Sequence, residues 1–266
     1  MNILKWLGRG KDDSYDSYKI KITAKEGTSF YFELSGSGVA TVDWRDGSEK
    51  DTLTLNDGGV SFNHTYPKTT KRTIIINGDN ITKLNCNFFF LTSLDVSHCN
   101  ELSKLTYRTV TSLDLSNNTA LTSLSVSDGN FTSLDLSKNT ALTSLYISSN
   151  FASIDLSKNT ALTSLHISGN FPSLDLSNNT ALTKLHIGSL LTGSSEPLTS
   201  IDLSNNTALS DITVFGQFEG SELNKFFRTL HSDVGEKSID ISFTSGKAYC
   251  DRSIAESKGW KVVLVC

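Results

Sequence analysis

The sequence predicts a mostly β protein: an N-terminal β-sandwich, then a solenoid of short coils, closed by a C-terminal α/β cap. The solenoid is predicted from a phrase, Leu-Asp-Leu, that recurs with small variations from Leu94 at intervals of 19, 21, 20, 20 and 27 residues. The flanks lack this repeat and carry alternating strand patterns before it and an amphipathic helix pattern after it. We therefore divide the chain into a flexible tail (1–17), a sandwich (18–80), the coils (81–220) and the cap (221–266).

Composition excludes several classes of protein. The 266 residues are 37% hydrophobic, which is enough for a core and excludes a disordered chain. The 24 Lys and Arg against 28 Asp and Glu give a net charge of −4 without a basic block, so we expect no nucleic-acid partner. The longest apolar run, Val262–Cys266, is far too short to span a membrane. The first residues do not form a signal peptide, so either the protein is not exported by that route or its signal is absent from this chain.

Short strands are predicted in the sandwich. Alternating apolar residues occur at Tyr18–Ala24, Phe30–Leu34 and Val39–Trp44, and Thr73–Asn77 is a continuous apolar run. Asp46-Gly47 marks a tight turn between them. Strands at this spacing favour two small sheets packed face to face.

One phrase in this region carries a family resemblance. Val42–Ser48, followed by Phe62–Tyr66, is similar to PKD-type immunoglobulin-like domains, whose usual phrase is a Gly-Asp-Gly turn with a downstream His-x-Tyr. Arg45 replaces the first of those glycines. The resemblance implies that the residues it matches hold the fold and have no catalytic role: Trp44, Asp46, His64 and Tyr66.

The repeat itself explains why the coils must stack. A complete unit, Leu142–Ala161, begins with the pattern LxxLxLxxN. Alternation along a strand places Leu145 and Ile147 on one side and Tyr146 and Ser148 on the other. One unit of this length cannot bury its apolar side alone, whereas stacked copies form a continuous core.

Asparagines end the phrases of each coil, where an amide can satisfy backbone groups of the neighbouring coil, and we expect them to be structural. They are Asn118, Asn139, Asn150, Asn159, Asn170, Asn179 and Asn206.

Units of the form Leu-Thr-Ser-Leu-Asp-Leu-Ser-Asn-Asn-Thr-Ala resemble the short leucine-rich repeats of Bacteroidetes surface and secreted proteins. The resemblance covers about residues 81–220. It implies a right-handed leucine-rich-repeat solenoid, a binding role, and a secreted or cell-surface location. It implies no particular ligand.

The cap is predicted to alternate helices and strands. Ser221–His231 and Asp251–Lys258 should be helices, each capped by its first residue, and Gly259 should end the second one. Ser238–Phe243 and Trp260–Val265 should be strands. Such a unit shields the last coil of a solenoid from water.

The four cysteines form no CxxC pair. Cys86 and Cys99 are interpreted as small apolar fillers, with Cys86 at the inward position equivalent to Ile147. The last strand must return along the second cap helix, so Cys266 should come near Cys250. A disulfide between them is possible if their Cα atoms lie within about 7 Å in an oxidising compartment.

Catalytic and metal-binding arrangements are weakly supported. The repeated aspartates form a column that could suggest calcium, but the Gly-rich turn of calcium-binding β-rolls is missing, so we interpret the column as framework. They are Asp95, Asp114, Asp135, Asp155, Asp175 and Asp202. His166 and His186 occupy equivalent positions of adjacent coils, but a catalytic zinc site needs a third ligand, and the flanking equivalents are Tyr146 and Thr213.

The long interval between coils points to an insertion. The additional residues fall at Gly188–Pro197, where Gly, Ser and Pro cannot continue the strand pattern. We expect a loop that projects from one edge of the solenoid.

The candidate binding surface is the outward side of the main sheet. One outward column should contain Thr106, Ser125, Tyr146, His166, His186 and Thr213. The next column is small and should leave room for a ligand beside the rings: Ser127, Ser148, Ser168 and Gly188. We predict ligand contacts at Tyr146, His166, His186, Ser148, Ser168 and Thr106. Exposed histidines titrate near pH 6.5, so binding should change between about pH 5.5 and 7.5.

These observations favour a non-enzymatic recognition or adhesion protein that binds a protein or glycan ligand on the exposed face of the solenoid. We expect no cofactor, no metal and a monomeric chain. Two alternatives stay open: a metal-dependent or carbohydrate-active enzyme that uses the His and Asp columns, and a structural spacer.

Overall fold

The computed structural model describes residues 18–264 except 26, 89, 111, 130–132, 150–152, 170–172, 189–200 and 234. Its N-terminal part consists of antiparallel strands, and the bounds are β1 Ile20–Ala24, β2 Ser29–Asp43, β3 Asp51–Thr54, β4 Val60–Thr65, β5 Arg72–Cys86 and β6 Leu91–Asp95. The predicted mostly β architecture is confirmed. The tail at 1–17 lies outside the described residues.

Strands β2 and β5 are long, with 15 residues each, and each pairs with three other strands of the sheet. The first half of β2 pairs with β4 and its second half with β3. The first half of β5 pairs with β1, which also pairs with β6. The register of β2 against β5 shifts near Gly36, whose φ of +147° and closeness to the Asn80 carbonyl leave no room for a side chain.

Aromatic contacts among β2, β4 and the residue that follows β2 form part of the sandwich core. Phe32, near the start of β2, contacts Trp44, just after its end, with 5.7 Å between ring centroids. Phe32 also stacks on Phe62 of β4 at 5.5 Å. Buried isoleucines of β1 and β5, such as Ile22 and Ile74, complete the apolar layer.

The solenoid contributes six parallel strands, and their bounds are β7 Lys104–Arg108, β8 Ser123–Gly129, β9 Ser144–Ser149, β10 Ser164–Ser168, β11 Lys184–Gly188 and β12 Asp211–Gly216. Each strand places its inward pair, such as Leu145 and Ile147 of β9, in the core at 2% exposure or less. The predicted alternation is therefore confirmed. The insertion loop predicted at 188–197 lies outside the described residues except for Gly188, which ends β11.

The sheet runs without a break from the sandwich into the coils. The second half of β5 pairs in parallel with β7, with Leu84 opposite Leu105 and Cys86 opposite Tyr107. The predicted boundary between residues 80 and 81 therefore falls inside β5. Cys86 is fully buried at the predicted inward position, and burial raises the pKa of its thiol to about 12.

The asparagines hold consecutive coils together, as predicted for those in the described part. Asn179 is typical, because its side-chain amide donates to the carbonyls of Leu156 at 3.1 Å and Asn159 at 2.9 Å in the preceding coil. The equivalent residues Asn118, Asn139, Asn159 and Asn206 are also completely buried and make the same pair of bonds. Asn150 and Asn170 lie outside the described residues.

The helices and strands of the cap occur in the predicted order, but they begin and end at other residues than predicted. Its elements are α1 Gly220–Thr229, β13 Ser238–Thr244, a 3₁₀ turn at Ser245–Ala248, α2 Ser253–Glu256 and β14 Lys261–Val263. Strands β13 and β14 extend the parallel sheet beyond β12.

Both predicted helix caps are wrong. The N-cap of α1 is Glu219, not Ser221, and the backbone amide of Glu219 donates to the Glu222 carboxylate at 2.8 Å. The N-cap of α2 is Arg252, because Asp251 closes a local turn in which it accepts bonds from the amide and hydroxyl of Ser253. Gly259 ends the second helical segment as predicted, with φ of +80°. Cys266 lies outside the described residues, so its pairing with Cys250 stays a prediction.

Candidate functional site on the outward sheet face

The predicted outward column exists. Strand pairing places its members directly opposite one another from β7 to β12: Thr106, Ser125, Tyr146, His166, His186 and Thr213. All six are at least partly exposed. The repeat made this prediction possible, because the constant spacing inside each LxxLxL phrase shows which residues of neighbouring strands are equivalent and which of them face outward.

Rings in this column contact one another. Tyr146 stacks on His166 with 4.4 Å between centroids and 23° between planes. His166 lies 5.5 Å from His186 at a tilt of 30°. The rings therefore stand side by side across β9, β10 and β11, and Tyr146 remains 38% exposed.

The space predicted beside the rings is partly filled, which corrects one expectation. Phe215 of β12 lies opposite Gly188, and a Cβ placed on Gly188 would come 2.3 Å from its ring. Phe215 also lies 6.0 Å from the His166 ring. Ser168 is only 1% exposed and Gly188 is buried, so neither leaves the predicted open space. Ser148, one strand further away, stays half-exposed.

Phe215 continues the row of rings and was missed from the sequence. It pairs with Phe243 of β13, which is 70% exposed. We call the five residues Tyr146, His166, His186, Phe215 and Phe243 the aromatic band. It crosses β9 to β13, and four steps of about 4.8 Å between neighbouring strands give it a length of roughly 19 Å.

Electrostatics within the aromatic band disfavour a positive charge on one of its histidines. Partial burial lowers the pKa of His166, and the neighbouring His186 lowers it further. The uniform titration expected near pH 6.5 is therefore incorrect for His166, which should accept a proton only at lower pH.

The aspartate column agrees with a structural role. In each described coil the carboxylate accepts a hydrogen bond from the amide of the serine two residues later, as Asp155 does from Ser157 at 2.8 Å. Hydrogen bonds from the hydroxyl and the amide of this serine lower the pKa values of the carboxyl groups of Asp114, Asp135, Asp155, Asp175 and Asp202. Within the described part of the chain, no three His, Cys, Asp or Glu side chains are close enough to share a metal ion.

The residues carrying the PKD resemblance form a closed network. The His64 ring stacks on Trp44 at 4.7 Å and bonds to Asp46 at 2.7 Å. Tyr66 donates to the Trp44 carbonyl at 2.7 Å. Arg45 has φ of +56°, a left-handed conformation that glycine adopts more easily. These contacts agree with the implied structural role.

The fold is thus a leucine-rich-repeat solenoid with an antiparallel β-sandwich at its start and an α/β cap at its end. No protein-family model matches the chain, and no curated protein matches it by sequence. Among solved structures, an internalin C2 from Listeria monocytogenes is 20% identical, with a TM-score of 0.51, and the match covers 70% of this chain and 81% of that one. This likeness shows the fold alone.

Two further structures from Listeria monocytogenes are similar over the same share of this chain. The functional domain of InlJ is 27% identical, with a TM-score of 0.48, and the match covers 69% of this chain and 39% of that one. An internalin InlF is 21% identical, with a TM-score of 0.45, over 69% of this chain and 60% of that one. The present chain thus matches less than two thirds of either protein.

In the described part of the chain, no helix combines the length and the hydropathy needed to cross a membrane.

Proposed function

We propose that the protein is a non-enzymatic recognition module whose outward sheet face binds a protein or glycan ligand. The observation that carries this proposal is the aromatic band, a row of partly exposed rings on a face that the fold leaves uncovered in the described residues. Rings with a polar edge combine large contact area with hydrogen bonding, which suits recognition surfaces.

The fold supports this proposal through rigidity. Strands that pair continuously from β5 to β14 hold the aromatic band at fixed spacing. A preorganised surface loses little conformational entropy on binding. Stacked repeats also create extended surfaces that solenoid proteins commonly use for binding.

Location and assembly belong to the proposal as well. We propose a secreted or cell-surface protein that acts as a monomer, supported by the resemblance of the repeats to those of Bacteroidetes surface and secreted proteins. The PKD-like interpretation of the sandwich is part of this proposal and is supported by the network around Trp44 and His64.

The experiment is capture of the purified protein on an array of glycans and extracellular proteins. The test variant carries Tyr146→Ala, His166→Ala and His186→Ala together. The matched control carries three exposed substitutions on the aspartate-turn side of the coils, Lys138→Ala, Lys158→Ala and Asn178→Ala. Both variants must first show the wild-type thermal unfolding midpoint.

We expect the wild type and the control to capture the same ligands and the triple variant to lose them. Capture by the triple variant equal to wild type would remove the aromatic band from the binding surface. Loss of capture in the control alone would place the binding surface on the opposite side.

A further inference from the structure

A cleft lies between helix α1 and the aspartate turns of the last two coils of the solenoid. Its volume is about 560 Å³, within the range of small-molecule sites. Lys225 and Thr229, one helical turn apart on α1, line it from one side. Asp175 and Asp202 line it from the coils. The cleft therefore presents an ammonium group on one element and two carboxylates on the other.

The base of the cleft is apolar. Among the described residues that line it, only Leu174 and Ile201 are buried, at 6% exposure each. The side-chain amide of Asn205 donates to the carbonyl of Ser177 at 3.4 Å, which joins the two turns that form this wall. A ligand with an apolar part at the base and polar groups at the rim matches these surroundings.

The charged groups of the cleft have no ion-pair partner in the part of the chain that the structure describes. Lys225 forms neither a hydrogen bond nor an ion pair there, and neither carboxylate pairs with a basic side chain. Asp175 and Asp202 each accept hydrogen bonds from the serine two residues later, which lower the pKa of both carboxyl groups. Both are therefore ionised at neutral pH.

Two other coils neutralise the equivalent carboxylate locally. Asp135 and Asp155 are followed three residues later by Lys138 and Lys158, whose positive charges contribute to the lowered pKa values of these carboxyl groups. In both coils of the cleft this position is an asparagine. Two carboxylates and one ammonium group leave the cleft with a net charge of −1. Its electrostatics favour a ligand that brings a cation.

We infer that the cleft binds a small zwitterion: an α-amino acid or a short peptide with free termini. The ammonium group of the ligand pairs with Asp175 and Asp202, and its carboxylate pairs with Lys225. An aliphatic side chain of the ligand contacts Leu174 and Ile201. A simple anion would face two carboxylates, and a simple cation would leave the ammonium group of α1 unpaired. The inference is independent of the proposed function, because the cleft lies at the turns of the coils and not on the outward sheet face.

The test is a ligand titration followed by proton–nitrogen correlation NMR at neutral pH. The amides of Ser177 and Ser204, which donate to the two carboxylates, report binding. The amide of Ser116, which donates to Asp114 outside the cleft, is the internal control. L-leucine and leucyl-leucine are the zwitterionic probes. N-acetyl-L-leucine lacks the cation, and L-leucinamide lacks the anion.

Three variants accompany the wild type. Asp175→Asn together with Asp202→Asn removes both negative charges but keeps an oxygen that accepts the serine amide bonds. Lys225→Gln removes the ammonium group. Asp114→Asn is the matched control, since Asp114 forms the same turn with Ser116 and is also followed by an asparagine three residues later, but does not line the cleft.

We expect at least one zwitterion to bind with a dissociation constant of about 1 mM, because exposed ion pairs are individually weak. The double aspartate variant should bind it at least about five-fold more weakly, and Asp114→Asn should not differ from wild type. Lys225→Gln should weaken the zwitterion about three-fold without weakening L-leucinamide, which has no carboxylate to pair with Lys225. N-acetyl-L-leucine should not bind. Tighter binding of one zwitterion would identify the amino acid or the peptide as the source, and either result supports the inference.

Three results would overturn the inference. The first is no shift of the Ser177 and Ser204 amides with either zwitterion at about 10 mM. The second is equal affinity in the double aspartate variant and the wild type. The third is equal weakening of L-leucine and L-leucinamide by Lys225→Gln. None of these results bears on ligand capture by the aromatic band, so the proposed function is tested separately.

Discussion

Buried side-chain amides of single asparagines hold neighbouring coils together. Asn178 and Asn179 are adjacent and chemically identical, yet the first is exposed and the second is completely buried. Only Asn179 donates to two backbone carbonyls of the preceding coil. Its amide oxygen has no partner among the described residues, so the stabilisation comes from the donor end alone.

Asn179→Asp should therefore be strongly destabilising, whereas Asn178→Asp should be neutral. The substitution at Asn179 replaces both donors with carboxylate oxygen beside two buried carbonyls, which we expect to cost about 3 kcal/mol. The exposed change should stay within about 0.5 kcal/mol. Urea unfolding of both variants measures the difference, and equal midpoints would contradict the assigned role of the ladder.

His166 should make stability depend on pH. Its pKa is lowered in the folded state, so the folded protein binds fewer protons than the unfolded chain as pH falls below the unfolded pKa near 6.5. The stability contributed at neutral pH is consequently lost as pH falls from about 6.5 through the lower folded pKa. An NMR titration of the His166 ring should give a midpoint below 6.5.

His186→Gln provides the control for this titration. Removing the neighbouring imidazole should raise the His166 midpoint only in part, because burial is the larger cause of the shift. A midpoint at or above 6.5 in the wild type would show that His166 is solvated like a free side chain.

Strand-level features explain what could and could not be predicted. The register of β7 to β12 follows from the constant spacing inside each LxxLxL phrase, so the outward column was found from sequence alone. Phe215 was missed because the last coil departs from the repeat and places a large ring where the four preceding coils have Ser or Gly. Aligning Gly188 with Phe215 would have revealed it, since the smallest residue of the column lies opposite the largest. The helix caps were predicted wrongly because two local alternatives were not considered: a capping box between Glu219 and Glu222, and a turn that Asp251 closes with Ser253.

Gly188 and Phe215 should be energetically coupled. A methyl group on Gly188 would overlap the Phe215 ring, so Gly188→Ala should destabilise the protein by about 1–3 kcal/mol. In a Phe215→Ala background the same substitution should cost much less, because the ring is gone. A double-mutant cycle by thermal or urea unfolding measures the coupling, and additive effects would mean that the ring does not lie over Gly188.

At the scale of the whole molecule, the sandwich and the solenoid share one sheet. The strand patterns predicted the sandwich and the repeats predicted the solenoid. No sequence pattern predicted that the single strand β5 pairs with strands of both parts. The second half of β5 pairs with β2 on one side and with β7 on the other. The first strand of the solenoid, β7, therefore has a paired neighbour on the side of the sandwich as well as on the side of β8.

A fragment of residues 81–266 should lose protection in its first strands. Without β2, the segment 81–86 becomes an unsupported edge, and the amides of β7 should exchange hydrogen faster than in the full chain. The amides of β11, four strands away, should be unchanged and serve as the internal control. Identical exchange of β7 in fragment and full chain would show that the two parts are independent.

The central claim is that the aromatic band is the recognition surface, and hydroxyl-radical footprinting with a ligand captured on the array tests it most directly. Labelling of four exposed aromatic side chains is followed in the same experiment. Tyr146 and Phe243 belong to the aromatic band, whereas Tyr31 lies on β2 of the sandwich and Tyr249 lies in the cap. We predict that ligand reduces labelling of Tyr146 and Phe243 and leaves Tyr31 and Tyr249 unchanged. Unchanged labelling of Tyr146 and Phe243 in the complex would contradict the account.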